Sequence, residues 1–240
     1  MLFSEILIYS LIAGASSLLG TFLVIKKEEW STRNSVFLIS FASGVMLAIA
    51  FFHLIPEAAG LYPGAIALVF AGFLVLYLLQ QVMMFHACHD EACHVHRMSV
   101  LSTIGLTLHS LLDGLAIGVG FEAGAKLGMI MTLAVVLHKI PDGITITGIL
   151  LHARRERKSV ISFSTLVAMA TPAGAVISYF FLRGISHDVL GMMLAFMGGS
   201  FLYLAAADLL PETHKEHNRA NALFFFIGIV LIWIIGRIIH

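Results

Sequence analysis

Long apolar runs broken by short polar or turn-rich stretches repeat eight times along the chain. A helix needs about 20 mostly apolar residues to cross a bilayer. Stretches of that kind cover residues 5–25, 34–55, 62–85, 99–120, 126–151, 160–182, 188–211 and 221–239, here numbered spans 1 to 8. The breaks include Lys26-Lys27-Glu28-Glu29, Leu61-Tyr62-Pro63-Gly64 and Arg154-Arg155-Glu156-Arg157-Lys158. None has room for a soluble domain, so residues 1–240 read as a single transmembrane domain. The predicted fold class is all-α, a polytopic membrane protein of eight helices. The first span lacks a basic leading region and a small-residue cleavage pattern, and reads as a retained helix.

Composition agrees with this pattern. The chain is 59% hydrophobic and 12% charged, where a soluble domain carries about 25% charged residues. Its formal net charge is zero, which speaks against a nucleic-acid partner. Loop charges set an orientation, because Lys and Arg gather on the cytoplasmic side. Lys26, Lys27 and Arg33 lie in the first loop and Arg97 ends the third. Arg154, Arg155, Arg157 and Lys158 lie in the fifth, Lys215 and Arg219 in the seventh. The even-numbered loops hold only Lys126 and Arg183. The odd loops are therefore expected in the cytoplasm and both termini outside.

Two internal repeats stand out. The stretch Phe41 to Glu57 aligns without gaps to Phe196 to Glu212, sharing its Phe, a Gly and the closing Pro56-Glu57 and Pro211-Glu212. The copies lie on oppositely directed spans 2 and 7. An inverted repeat of spans 1–3 and 6–8 around spans 4–5 is a common transporter plan, with a site near the bilayer midplane. In the tighter repeat, Leu108-His109-Ser110-Leu111-Leu112-Asp113-Gly114 matches Leu137-His138-Lys139-Ile140-Pro141-Asp142-Gly143. Both read L-H-x-x-x-D-G, on antiparallel neighbours 4 and 5.

An Asp or Lys at the centre of a spanning helix costs about 2.5–3.5 kcal/mol, so His109, Asp113, His138, Lys139 and Asp142 need partners, a cavity or an ion. Residues four apart share a helix face, about 6 Å apart along the axis. Antiparallel packing then sets His109 level with Asp142 and Asp113 level with His138. Four N and O ligands converge, a set that suits Zn²⁺ and also admits Fe²⁺, Mn²⁺ or Cd²⁺. Such binding weakens as pH falls, because the ligands must be deprotonated. Gly114 and Gly143 are expected to let these two helices approach closely, and Pro141 to interrupt helix 5. The alternatives are a His–Asp pair that glues two helices and a proton relay.

Further polar groups lie at the predicted mouths and in the third loop. His53 and Glu57 fall at the outer end of span 2, Asp208 and Glu212 at the inner end of span 7. Acidic groups at a mouth raise the local cation concentration, so these four are expected to attract and relay the ion. Ordinary interfacial polarity is the alternative. The loop 86–98 holds His86, Cys88, His89, Cys93, His94 and His96, soft or borderline ligands for zinc or copper(I). On the reducing cytoplasmic side they would sense or buffer metal; a solvated polar loop is the alternative.

These motifs resemble the Zrt/Irt-like (ZIP) family of metal transporters over nearly the whole chain. His109-Ser110-Leu111-Leu112-Asp113-Gly114 is similar to that family's H-N-x-P-E-G, with Asp for Glu. His138-Lys139-Ile140-Pro141-Asp142 is similar to its [HQ]-[DEK]-x-P-[ED]. The resemblance implies eight helices with termini outside and uptake of a divalent metal, zinc above all, toward the cytoplasm; the short loops point to a multi-pass protein of a prokaryotic inner membrane. It implies Met46 as a thioether ligand and admits a homodimer. Many members hold a second, bridged metal, where this chain has Ser110, Lys139 and Thr171. An ammonium cannot ligate a metal, so one metal is expected, with Lys139 standing in electrostatically for the second. Snorkelling to an interface is the other reading of Lys139.

No organic cofactor is implied; the metal is the substrate. Two rival readings use the same cluster: a metal-dependent intramembrane hydrolase holding an activated water, and a membrane metal sensor that binds without passing the ion. The hydrolase lacks an H-E-x-x-H motif, and a duplicated site suits a two-sided path better, so no enzyme is expected.

Overall fold

The structure is a computed structural model that describes residues 2–85, 91–182, 184–214 and 218–239. Helix α1 runs Leu2–Lys26, α3 Ala65–Phe85, α4 Glu91–Ala123, α5 Ala125–His152, α6 Arg157–Leu182 and α8 Arg219–Ile239. Helices α2 and α7 are composite. The first comprises Glu28–Ile49, a π-helical turn Ala50–Leu54 and Ile55–Leu61; the second comprises His187–Tyr203, a π-helical turn Leu204–Leu209 and Leu210–His214. All eight are long and apolar enough to cross a membrane. Outward-facing side chains such as Phe70, Phe181 and Ile238 are exposed, as expected where lipid replaces water.

Three boundaries differ from the sequence expectation by more than three residues. Helix α2 begins at Glu28, six residues before the start expected for span 2, so Glu28 and Glu29 are helical rather than loop. Span 2 was expected to stop at residue 55, yet α2 continues to Leu61, so that Pro56 lies inside it. Proline has no N–H and its ring crowds the carbonyl four residues back. The turn before it widens instead of breaking: Ile55 N–H donates to the Ala50 carbonyl and, before Pro211, Leu210 N–H donates to that of Ala205. Helix α4 begins at Glu91, so residues 91–98 are helical rather than loop. At 33 residues it is about 50 Å long, more than a bilayer core needs. Helix α5 runs through Pro141 as one continuous element.

Packing follows interlocked pairs: α1 with α5, α4 with α6, α2 with α8, and α3 with α7. Each pair is held by glycines that leave room for a partner's backbone. A Cβ on Gly114 would overlap the Thr171 carbonyl oxygen and one on Gly174 that of Leu111, which locks α4 to α6. Gly143 meets the Ser17 carbonyl and Gly20 that of Ile140, locking α1 to α5. This corrects the expectation that Gly114 and Gly143 bring α4 and α5 together: they face α6 and α1. Gly44 with Gly228 and Gly199 with Gly72 do the same for α2–α8 and α3–α7. The main core gathers Met46 and Ile49 of α2, Ala116 of α4, Met131 of α5 and Phe201 of α7. The α4–α5 contact is thus walled by α2 and α7.

Candidate metal centre

The L-H-x-x-x-D-G copies place their polar residues where α4 and α5 face each other. His109, Asp113, His138 and Asp142 each offer a ligand atom, and these atoms lie within 4.8 Å of one another. His109 Nε2 is 3.6 Å from Asp142 Oδ2, and His138 Nε2 is 3.4 Å from Asp113 Oδ2. These are the two level pairs expected from antiparallel helices. Within one helix, His109 Nε2 is 3.4 Å from Asp113 Oδ2. The imidazole centroids are 5.7 Å apart. Asp113 and His138 are fully buried and His109 and Asp142 nearly so, each 8% exposed.

Lys139 completes the cluster. Its side chain is fully buried, which excludes snorkelling. Its Nζ donates to Asp142 Oδ2 at 3.0 Å and Ser110 Oγ at 2.8 Å, and lies 2.7 Å from Asp113 Oδ2. The ammonium is therefore closer to both carboxylates than either imidazole is. A buried carboxylate pair without a counter-charge is costly, and Lys139 offsets one of its two charges. Thr171 is also buried, but its described contact with α4 runs through its backbone at Gly114.

Some polar atoms are left over. His109 Nδ1, His138 Nδ1, Asp113 Oδ1 and Thr171 Oγ1 are buried with no hydrogen-bond partner. Burying unpaired polar groups is unfavourable; these atoms are distinct from the Nε2 and Oδ2 atoms that converge, and it is the converging set of His109, Asp113, His138 and Asp142 that could hold a cation. Imidazole and carboxylate ligands fit zinc and its neighbours among the divalent metals.

The remaining candidates fall elsewhere. Met46 is 1% exposed in the apolar core. His53 is buried with its ring against Gly236 of α8, and Glu57 is exposed about one turn further on. Neither joins the cluster. His86, Cys88 and His89 lie outside the described residues, as do the side chains of Cys93, His94, His96, Asp208 and Glu212. One contact was missed in the sequence: the Phe201 ring of α7 meets His138 edge-on at 5.9 Å. The repeat held the signal, since Phe201 is the counterpart of Met46 when Phe41 is set on Phe196.

Comparison with known proteins points the same way. The chain is 28% identical over 244 residues to zinc transporter ZupT of Chlorobium luteolum, covering 91% of this chain and 92% of that one. It is 29% identical over 229 residues to ZupT of Escherichia fergusonii, covering 90% and 88%. Against zinc transporter ZIP9 of Xenopus tropicalis it is 29% identical over 151 residues, 59% of this chain, and spans half the length of that relative. The family model described as "ZIP Zinc transporter" matches residues 85–236. Because that match takes in both motif helices and runs on into the last span, the chain belongs to the ZIP zinc transporter family.

Proposed function

We propose that this protein carries a divalent metal, zinc first among them, across the membrane toward the cytoplasm, binding it at His109, Asp113, His138 and Asp142. The observation that carries this reading is the convergence of four buried ligand atoms from α4 and α5 within 4.8 Å. Membership of a family of zinc transporters favours transport over the hydrolase. Passage separates transport from sensing, since a sensor would bind the ion and hold it.

Symmetry supports a two-sided path. Exchanging α1 with α6, α2 with α7, α3 with α8 and α4 with α5 leaves the set of helix pairs unchanged. The glycine locks follow the same exchange, Gly114 answering Gly143 and Gly44 answering Gly199. This exchange supports an inverted repeat, a plan that suits alternating access by movement of one bundle against another. Under the same exchange the Phe201–His138 contact answers to Met46 and His109, which supports reading Met46 as a thioether ligand. The ion would approach past His53 and Glu57 and leave past Asp208 and Glu212 to the His/Cys segment 86–98. The membrane would be the inner membrane of a prokaryote, with both termini outside.

The test is influx into liposomes that contain a metal-sensitive dye. Zn²⁺ should enter with the wild-type chain and fail to enter with His109→Ala or Asp142→Asn. Undiminished influx through those variants would remove the site. Binding without influx in the wild type would favour the sensor, and competition by Fe²⁺, Mn²⁺ or Cd²⁺ would rank the substrates.

A further inference from the structure

We infer that Lys139 is a tethered cation that must leave the two carboxylates when the transported metal arrives, so that ammonium and metal alternate on the same oxygens. This rests on the transport reading above. Two atoms carry the argument. Asp113 Oδ2 lies 3.4 Å from both His109 Nε2 and His138 Nε2, and Asp142 Oδ2 lies 3.6 Å from His109 Nε2. These oxygens, which converge with the imidazoles, are also the ones that Lys139 Nζ holds at 2.7 and 3.0 Å. A zinc–carboxylate bond is about 2.0–2.2 Å, so an ion bound to Asp113 Oδ2 would lie within about 5 Å of Nζ. Like charges that close in a water-poor site repel strongly.

The ammonium has somewhere to go. It already donates to Ser110 Oγ at 2.8 Å. Thr171 Oγ1 is buried with no hydrogen-bond partner, and Thr171 packs on Gly114, one turn along α4 from Ser110. A pivot of the flexible lysine stem from Asp113 and Asp142 toward Ser110 and Thr171 would release both oxygens and meet that hydroxyl. One cation replaces another and no proton is lost. The arrangement also serves the return step: a metal-free pair of buried carboxylates would carry two uncompensated charges, and Lys139 removes one. The lysine thus weakens metal binding and keeps the metal-free protein able to reorient.

Calorimetric titration of the full chain in detergent with Cd²⁺ tests this. Lys139→Met should bind Cd²⁺ at least tenfold more tightly than wild type. Its metal-free form should melt at a lower temperature, and saturating Cd²⁺ should remove that deficit. Equal or weaker binding by Lys139→Met would overturn the inference, because the ammonium would then be a fixed support for the metal. Thr171→Val keeps Lys139 and gives a second measure if the first variant folds poorly. It should bind Cd²⁺ several-fold more weakly, and unchanged affinity would equally overturn the exchange. His109→Ala separates the two readings: if it binds like wild type, the metal site itself is misplaced, whereas loss of binding there with no gain in Lys139→Met rejects only the role of the lysine.

Discussion

The carbonyl oxygen of Thr171 occupies the space where a side chain on Gly114 would have to stand. The contact fixes α4 against α6 and therefore fixes the face on which His109 and Asp113 project. Overpacking a tight interface costs about 1–3 kcal/mol. Gly114→Ala should lower the unfolding temperature in detergent and reduce transport, and Gly143→Ala should do the same through Ser17. Gly148 on α5 has open space at its Cβ position, so Gly148→Ala should be neutral or slightly stabilising, since Ala favours helix by up to about 1 kcal/mol. Equal thermal stability of all three variants would show that the glycine contacts do not hold the bundle.

Glu57 is exposed near the end of α2. A surface carboxylate acts on an approaching cation through long-range attraction that salt screens over about 10 Å at 0.1 M. Glu57→Gln should therefore slow uptake most at low metal and low ionic strength, by a few-fold, and leave the maximal rate intact. The liposome assay at two salt concentrations checks this. Identical rates under the low-salt, low-metal condition would remove Glu57 from the path.

The spacing of His and Asp by four residues was enough to forecast the level pairs, because a helix face and an antiparallel neighbour are both local consequences of periodicity. Partner choice was not legible in the same way. Gly114 announces a close approach but not whose backbone approaches, and the neighbour proved to be α6 rather than α5. The extension of α2 past Pro56 was hidden because a proline ordinarily ends or kinks a helix, whereas here a wider turn absorbs it. Lys139 showed that a charge had to be paired in mid-span, yet only the folded chain brings Asp113 of the other helix to 2.7 Å. Phe201 was concealed by composition, one aromatic among many in apolar spans.

Met46 is buried beside the site-bearing helices. A thioether prefers soft metals and contributes little to hard ones, while Leu replaces Met in a core at modest cost, below about 1.5 kcal/mol. Met46→Leu should then cut Cd²⁺ uptake several-fold and leave Mn²⁺ uptake near wild type. A parallel decrease for both metals, or none for either, would return Met46 to a packing role.

The number of metals follows from Ser110, Lys139 and Thr171. Ser110 Oγ accepts from the Lys139 ammonium, and an ammonium offers hydrogens and no lone pair. A second ion near Asp113 would meet that positive charge, with no acidic ligand among these three residues to offset it. Crystals grown with Cd²⁺ should therefore give one anomalous peak per chain at the α4–α5 site. The peak should lie nearest His109, Asp113, His138 and Asp142, and it should persist in Ser110→Ala, which removes only a partner of the lysine. Two peaks bridged by a common carboxylate in the wild-type chain would mean that Lys139 leaves room for a second metal, and the single-ion assignment would fall.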